Sequence, residues 1–369
     1  MGQQTPPAFP SDSRQWMIYG ANGYTGRLIA VEAVRRGMKP VLAGRNESEI
    51  LELATALDCP YRVFSLEDID VATESLRDIH VVIHCAGPFS QTARPMIEAC
   101  LAGGTHYMDV TGEIPVLEYL FSRSEEARAA GITALPGSGY DVVPTDCLAM
   151  MLKEQLPDAA RLRLAFCGKI YQSPGTWKAT LEALPRCGAV RKNGAIEKVP
   201  HVWKMQRLQF DHERCNTISI PWGDISSAWH STGIPEIEVY GGVPFPSAIT
   251  MRAIRTPICA IFRNRGVLRL SKILISNFVK GPDTRQRESG EYHLRGDAWN
   301  DRGEQRTLLM RTPEGYTTTV ESTLAILPRV LDNGVQPGVW TPSQAFGSGF
   351  ALTVPGIEMR SLPESSGSD

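Results

Sequence analysis

The stretch Trp16–Gly37, WMIYGANGYTGRLIAVEAVRRG, limits what the chain can fold into more than any other. A short, mostly apolar run, Trp16–Tyr19, leads into Gly20-Ala21-Asn22-Gly23-Tyr24-Thr25-Gly26, after which Leu28, Ile29, Val31, Ala33 and Val34 recur at helical spacing. Strand, glycine turn and helix form the opening unit of a doubly wound parallel sheet. The spacing is G-x-x-G-x-x-G rather than G-x-G-x-x-G, but the jobs are the same: an unobstructed turn, close backbone approach to a pyrophosphate, and tight helix packing. Gly20, Asn22, Gly23, Tyr24, Thr25 and Gly26 are therefore candidates to hold a dinucleotide pyrophosphate at the helix N-terminus, where free N–H groups and the helix dipole favour an anion.

The second strand, Pro40–Gly44, ends in Gly44-Arg45, where an acidic residue would bind the ribose 2′-hydroxyl of NAD. A guanidinium there pairs with a 2′-phosphate and stacks on adenine, so Gly44 and Arg45 point to NADP (NADPH) as the cofactor. The alternative is a solvated surface arginine. Strand and helix patterns continue to alternate through residue 135, with a helix over Ile50–Leu57 and a strand at Tyr61–Phe64. Ser65 follows as either an adenine contact or a plain turn. The nearly continuous apolar strand Ile79–His84 suits a sheet covered on both faces. It ends in Cys85-Ala86-Gly87-Pro88-Phe89, and at the switch point beside the first strand Ala86, Gly87, Pro88 and Phe89 are expected to pass beneath the nicotinamide ribose, or to form only a tight turn before a helix at Ala93–Ala102.

A fifth strand at Thr105–Val110 and a sixth at Ile132–Leu135 each lead into polar loops. His106, Tyr107, Asp109, Glu113, Tyr140 and Asp141 are the titratable candidates for the ligand crevice; the alternative for each is a cap or a buried hydrogen-bonded group. The expected architecture is α/β: an N-terminal Rossmann doubly wound parallel sheet over 14–145, then a second α+β substrate domain over 146–360 containing a mainly antiparallel sheet. Residues 1–13 read as disordered and 361–369 as a flexible tail.

In the second half, a helix at Thr145–Leu156 is expected to join the domains. Strands are expected at Arg161–Ile170, Ile218–Ile220, Glu236–Tyr240, Glu291–Asp297 and Gln305–Arg311, with a helix at Gly175–Leu184. Tyr316–Ala325 is expected to begin as a strand and end as a helix. From Val239 to Pro282 there is no acidic residue, while Arg252, Arg255, Arg263, Arg265, Arg269, Lys272 and Lys280 are interleaved with apolar residues. Residues 252–280 thus suit a membrane surface or an acidic carrier protein, or else form a core-packed helix pair with a solvated basic face.

A net charge of −2 argues against a nucleic-acid partner. Eight scattered cysteines without a C-x-x-C pair read as free thiols in a reducing compartment, and the seven histidines show no ligand spacing, so no metal is expected. The first residues lack the charged and apolar regions of a signal peptide, and no run of 18 apolar residues occurs; the expected location is cytoplasmic, with peripheral membrane contact open.

GANGYTG, CAGPF, GGTHYMDVTGE and PGSGYDVVPTD, in this order and spacing, resemble the saccharopine dehydrogenase-like family of NADP-binding reductases. The resemblance covers about residues 14–150 and continues more weakly through Gly315–Leu327 and Gly338–Gly347, which look more like its trans-acting enoyl reductase branch. It implies NADPH-dependent reduction of an activated C=C, such as an α,β-unsaturated thioester, on a small-molecule or carrier-tethered acyl substrate. Tyr140, oriented by Asp141, is the candidate proton donor to the α-carbon. The alternatives are a saccharopine-type C=N reductase or amino-acid dehydrogenase, and a non-catalytic NADP-binding protein at a membrane surface. A homodimer is a further partner candidate.

Overall fold

The computed structural model describes residues 14–361 except 170 and 212, so the readings of 1–13 as disordered and of 362–369 as a tail fall outside the described residues. The first sheet contains β1 (Trp16–Tyr19), β2 (Val41–Gly44), β3 (Tyr61–Val63), β4 (Val81–His84), β5 (His106–Asp109) and β6 (Thr133–Leu135). Its helices are α1 (Tyr24–Arg35), α2 (Glu47–Leu57), α3 (Ile69–Ser75), α4 (Phe89–Gly103), α5 (Ile114–Ser122) and α6 (Ser124–Ala129). Every residue of β1, β2, β4 and β5 is buried, which is why their sequences run apolar without alternation. β1 lies between β2 and β4, with Tyr19 opposite His84, so the sheet reverses order there and opens a crevice at the strand carboxyl ends.

The helix α7 (Val143–Gln155) leads into the second sheet, built from β7 (Arg161–Gly168), β8 (Gly188–Lys192), β9 (Ala195–Val199), β10 (Met205–Gln209), β11 (Arg214–Ser219), β12 (Glu236–Gly242), β13 (Glu291–Trp299) and β14 (Gln305–Pro313). β15 (Gly338–Val339) returns to the first sheet and pairs in parallel with β6, making a seven-stranded, all-parallel sheet. β16 (Glu358–Arg360) joins the second sheet beside β14. Within that sheet only β12 and β7 pair in parallel among the described residues. The helices here are α8 (Pro174–Ala183), α9 (Asp224–Thr232), α10 (Phe245–Phe262), α11 (Arg265–Phe278), α12 (Thr284–Ser289), α13 (Gly315–Leu331) and α14 (Pro342–Phe346). One apolar core is continuous from Ile18 and Ile29 through Leu148 and Leu152 to Leu164 and Leu294, so the two sheets are not separated by a solvated linker.

Three departures from the sequence reading have physical causes. Tyr316–Ala325 is helical throughout: the Glu314 carboxylate caps Tyr316 N and Thr317 N, and the hydroxyls of Thr318 and Thr319 donate to the carbonyls of Pro313 and Gly315. Burial of Val320, Leu324 and Leu327 outweighs the small helix penalty of β-branched residues. The hairpin β8–β9 was not expected, although Asn193-Gly194, both at positive φ, is the strongest short hairpin signal. The third concerns the thiols. Cys167 and Cys215 form a disulfide, correcting the reading of eight free cysteines; the other six are free. β7 and β11 flank β12, and the bridge forms beside Gly242, where a Cβ would lie 3.1 Å from Cys167 Sγ. The described residues hold one close group of metal-ligand types, Cys167, Glu213 and Cys215, and its two sulphurs are bonded to each other.

Candidate dinucleotide and proton-transfer site

The glycines after β1 have distinct duties. Gly20 sits at φ +82°, and its N–H and that of Ala21 donate to Ala43 O at 2.7 and 3.1 Å, pinning the turn to β2. A Cβ on Gly20 would stand 2.7 Å from Ala86 N, and one on Gly26 would stand 2.3 Å from Gly20 O. Neither position tolerates a side chain. A Cβ on Gly23 would meet only Gly20 O, at 3.2 Å, and would otherwise project into open space over the start of α1. Gly23 is the N-cap of α1 and no side chain caps the helix, so the first-turn N–H groups of Tyr24, Thr25 and Gly26 remain available to an anion. Orphan donors beneath a glycine cradle fit a pyrophosphate.

The other expected cofactor residues surround this turn. Asn22 Nδ2 donates to Glu49 Oε2 at 2.7 Å, and its Oδ1 crowds the place of a Cβ on Gly44. Arg45 is exposed at the carboxyl end of β2 and makes no hydrogen bond or ion pair among the described residues. Ser65 follows β3, where its hydroxyl accepts from Glu67 N at 3.2 Å, a turn contact. Cys85 N donates to Tyr19 O, drawing the Ala86–Phe89 loop against Gly20. The loop is held further by Thr92 Oγ1 donating to Ala86 O and by Phe89 N donating to Glu113 Oε1 at 3.0 Å; Gly87–Pro88 is a cis peptide.

The side chain of Tyr24 leaves the phosphate cradle altogether. Its hydroxyl donates to Pro282 O at 2.6 Å and accepts from Arg287 Nη1 at 3.1 Å, and its ring meets Tyr316 edge-on at 4.8 Å. Tyr316 in turn holds Ser173 N and the Thr176 hydroxyl, so the turn is tied to the second domain. Beside this junction lies an open cavity of about 600 Å³ lined by Tyr171, Gln172, Trp177, Phe278, Val279, Lys280, Gly281, Pro282 and Gln286. Of these residues only those of the basic segment 252–280 and Tyr316 fall in stretches that the sequence marks out, and neither stretch points to a cavity.

The titratable candidates divide by strand end. Asp109, at the carboxyl end of β5, is fully buried and accepts from Tyr107 OH, Thr111 N and Gly137 N; burial pushes its carboxyl up to about 6. Tyr107 is buried in the sheet, committed to Asp109. Glu113 bridges to Phe89 N, and burial raises its pKa. His106 is not at the crevice. It opens β5 at the opposite edge, where Nδ1 accepts from Thr133 N and Nε2 meets Asn333 Oδ1 at 3.1 Å. His106 and Asp109 stand at the two ends of the four-residue strand, so His106 lies away from the ligand end.

Tyr140 packs its ring against Tyr292 at 4.9 Å and Phe166 at 6.4 Å, and its buried hydroxyl has no hydrogen-bond partner. Burial raises its pKa well above the ordinary phenol range. No hydrogen bond joins it to Asp141, so Asp141 does not orient the phenol as expected. The Asp141 carbonyl accepts from Trp222 Nε1, while its carboxyl has no hydrogen bond among the described residues and stands 2.7 Å from the place of a Cβ on Gly112. Burial pushes that carboxyl up to about 7.

The fold and the glycine turn define a dinucleotide-binding domain joined to a mixed, largely antiparallel second domain. Residues 16–135 match the family described as saccharopine dehydrogenase NADP binding domain, and this part of the chain is an NADP-binding domain of that family. A mouse saccharopine dehydrogenase-like oxidoreductase is 25% identical over 245 residues, 57% of this chain and 57% of the relative. A Mycobacterium tuberculosis protein described as a trans-acting enoyl reductase is 29% identical over 143 residues, 35% of this chain and 33% of that protein. The chain thus matches little more than half the length of the first relative and a third of the second. The structure is similar to apo saccharopine dehydrogenase (L-Glu forming) of Saccharomyces cerevisiae, with a TM-score of 0.62 over 95% of this chain and 100% of that one. At 12% identity the likeness is one of fold.

Proposed function

We propose that the chain is an NADPH-dependent reductase whose acceptor is an activated C=C, such as an α,β-unsaturated thioester. The observation that carries this reading is the cavity beside Tyr24. Tyr171, Trp177, Phe278 and Val279 line it together with the uncharged Gln172 and Gln286, and Lys280 is the one cation in its lining. Reduction of a saccharopine-type imine would have to hold two or three carboxylates, which calls for several converging cations. An acyl chain needs apolar surface instead. The description of the mycobacterial relative supports the same choice.

In this reading the N–H groups at Tyr24, Thr25 and Gly26 hold the pyrophosphate, Gly23 admits it, and Arg45 meets the 2′-phosphate. NADPH, when bound, supplies the hydride that adds to the β-carbon. The chain must then deliver a proton to the α-carbon. Asp141, with its carboxyl near 7 and no internal partner, is better placed to release one at neutral pH than the sealed Tyr140 phenol. Loss of NADPH absorbance against a panel of enoyl thioesters and of imino acids tests the reading. Turnover of enoyl thioesters is expected; turnover confined to imino acids replaces it with C=N reduction, and tight NADPH binding without either replaces it with a non-catalytic role.

A further inference from the structure

We propose that the α10–α11 hairpin is a docking element for an anionic lipid surface. Eighteen large apolar side chains are exposed among the described residues, and nine of them lie between Ile249 and Phe278. Scattered exposure is ordinary, but such a concentration in one hairpin marks an interaction surface. α11 packs on α8 through its half-buried side, and Leu270 and Ile273 face outward at 59% and 50% exposure, continued by Leu274 and by Ile261 at the end of α10. At 100° per residue, Val267, Leu270, Leu274 and Phe278 form one stripe, with Arg265 and Arg269 on the flank of the helix beyond Ile273. An outward apolar stripe with cations on the polar side of the same helix is the arrangement of a helix lying in a membrane interface.

The charges fit the same partner. Of the seven cations between Val239 and Pro282, Arg255 donates to the carbonyls of His201 and Val202 and Lys272 pairs with Glu182, so these two serve the fold. Arg252, Arg263, Arg265, Arg269 and Lys280 are exposed and have no ion-pair partner among the described residues, and the segment holds no acid to repel an anionic surface. No helix among the described residues is long and apolar enough to cross a bilayer, so the hairpin would lie on it. An acidic carrier protein would be met by cations foremost; on this hairpin Phe278, Leu270, Ile249, Ile261 and Ile273 are each at least half exposed beside the cations. α11 also ends at Phe278 and Val279, in the wall of the cavity beside Tyr24, so docking sets the cavity mouth at the lipid surface. The inference rests on exposure and charge alone and needs no particular chemistry at the cofactor.

The test is co-sedimentation of the full chain with phosphatidylcholine vesicles, with and without phosphatidylglycerol, at low and high salt. Binding is expected to the anionic vesicles and to weaken with salt. The triple change Arg263→Gln, Arg265→Gln and Arg269→Gln should weaken it about fivefold per charge removed. The triple change Ile261→Asn, Leu270→Asn and Ile273→Asn should lower binding by more than about tenfold at any salt. Both variants should keep the wild-type Tm and NADPH affinity, since all six side chains are exposed. Wild-type protein that stays in the supernatant with anionic vesicles overturns the proposal, as does an apolar variant that binds like wild type. So does capture by an acidic acyl carrier protein, or self-association through this face, without vesicle binding.

Discussion

Two glycine-rich turns leave the same sheet at the same edge, GANGYTG after β1 and PGSGYD after β6, and they have opposite characters. In the first, the α1 N–H groups have no internal acceptor and Gly23 faces open space. In the second, three backbone donors are already engaged: Gly137 N and Ser138 N donate to Asp109, and Tyr140 N donates to Thr319 Oγ1. Ser138 O accepts from Ser322 and Thr323 of α13, and a Cβ on Gly137 would strike Val142. One turn is a receptacle and the other is a joint. Glycine at a strand end therefore does not specify a phosphate site; unpaired helix donors next to it do.

The largest effect that separates the turns is expected from Gly23→Val. Its side chain fills the cradle while meeting only one backbone oxygen, so NADPH binding in a fluorescence titration should vanish with the Tm close to wild type. Retained binding would show that the first turn is no receptacle. Next comes the acid beside the second turn. Asp141→Asn should lower turnover of the substrate identified in the panel by about 10²- to 10⁴-fold with unchanged NADPH affinity, and Tyr140→Phe should change it far less. The reverse order returns the proton to the phenol.

Arg45→Ala should weaken NADPH about ten- to a hundredfold, the loss of one charge-assisted contact, while NADH affinity holds. An equal loss for both would detach Arg45 from the 2′-phosphate. On the side of the joint, Thr319→Val leaves the buried Tyr140 N–H without an acceptor and should cost about 1–3 kcal/mol in denaturant unfolding without touching cofactor affinity. The smallest effect is a pH slope. Asp141 keeps its proton in the folded protein up to about 7, whereas in the unfolded chain it loses it near the ordinary value of 3.8. Between those values the native state binds the extra proton, so this group makes stability fall as pH rises. The drop in Tm from about pH 5 to about pH 8 should thus be smaller in Asp141→Asn than in wild type.

The central strands of the parallel sheet were legible because they carry their own evidence: buried on both faces, VVIH and WMIY have no alternation to confuse, and the α1 stripe follows at once; the two-residue β15 carries none. The Asn193-Gly194 turn is equally legible, since Asn-Gly favours the positive φ that both residues adopt. Tyr316–Ala325 was misread because Thr and Val favour strands locally, while a capping carboxylate and burial against the first domain decided for helix. His106 opens β5, and the strand expected at Thr105–Val110 already sets it at the amino end, so its polar type alone made it a crevice candidate.

What the sequence by itself determined is the local machinery: a strand, a glycine turn and a helix with open donors, and an arginine where an acid would mark NAD, since these depend on neighbours within a few residues. Only the tertiary structure decided which polar groups are free. It paired Cys167 with Cys215 across a glycine, turned Tyr24 toward Pro282 and Arg287, left Asp141 without a partner, and faced the α11 apolar stripe outward. Each of these outcomes depends on what residues distant in the chain leave open or fill, and a hydrogen bond or a buried charge takes its energy from that surrounding rather than from its own residue type.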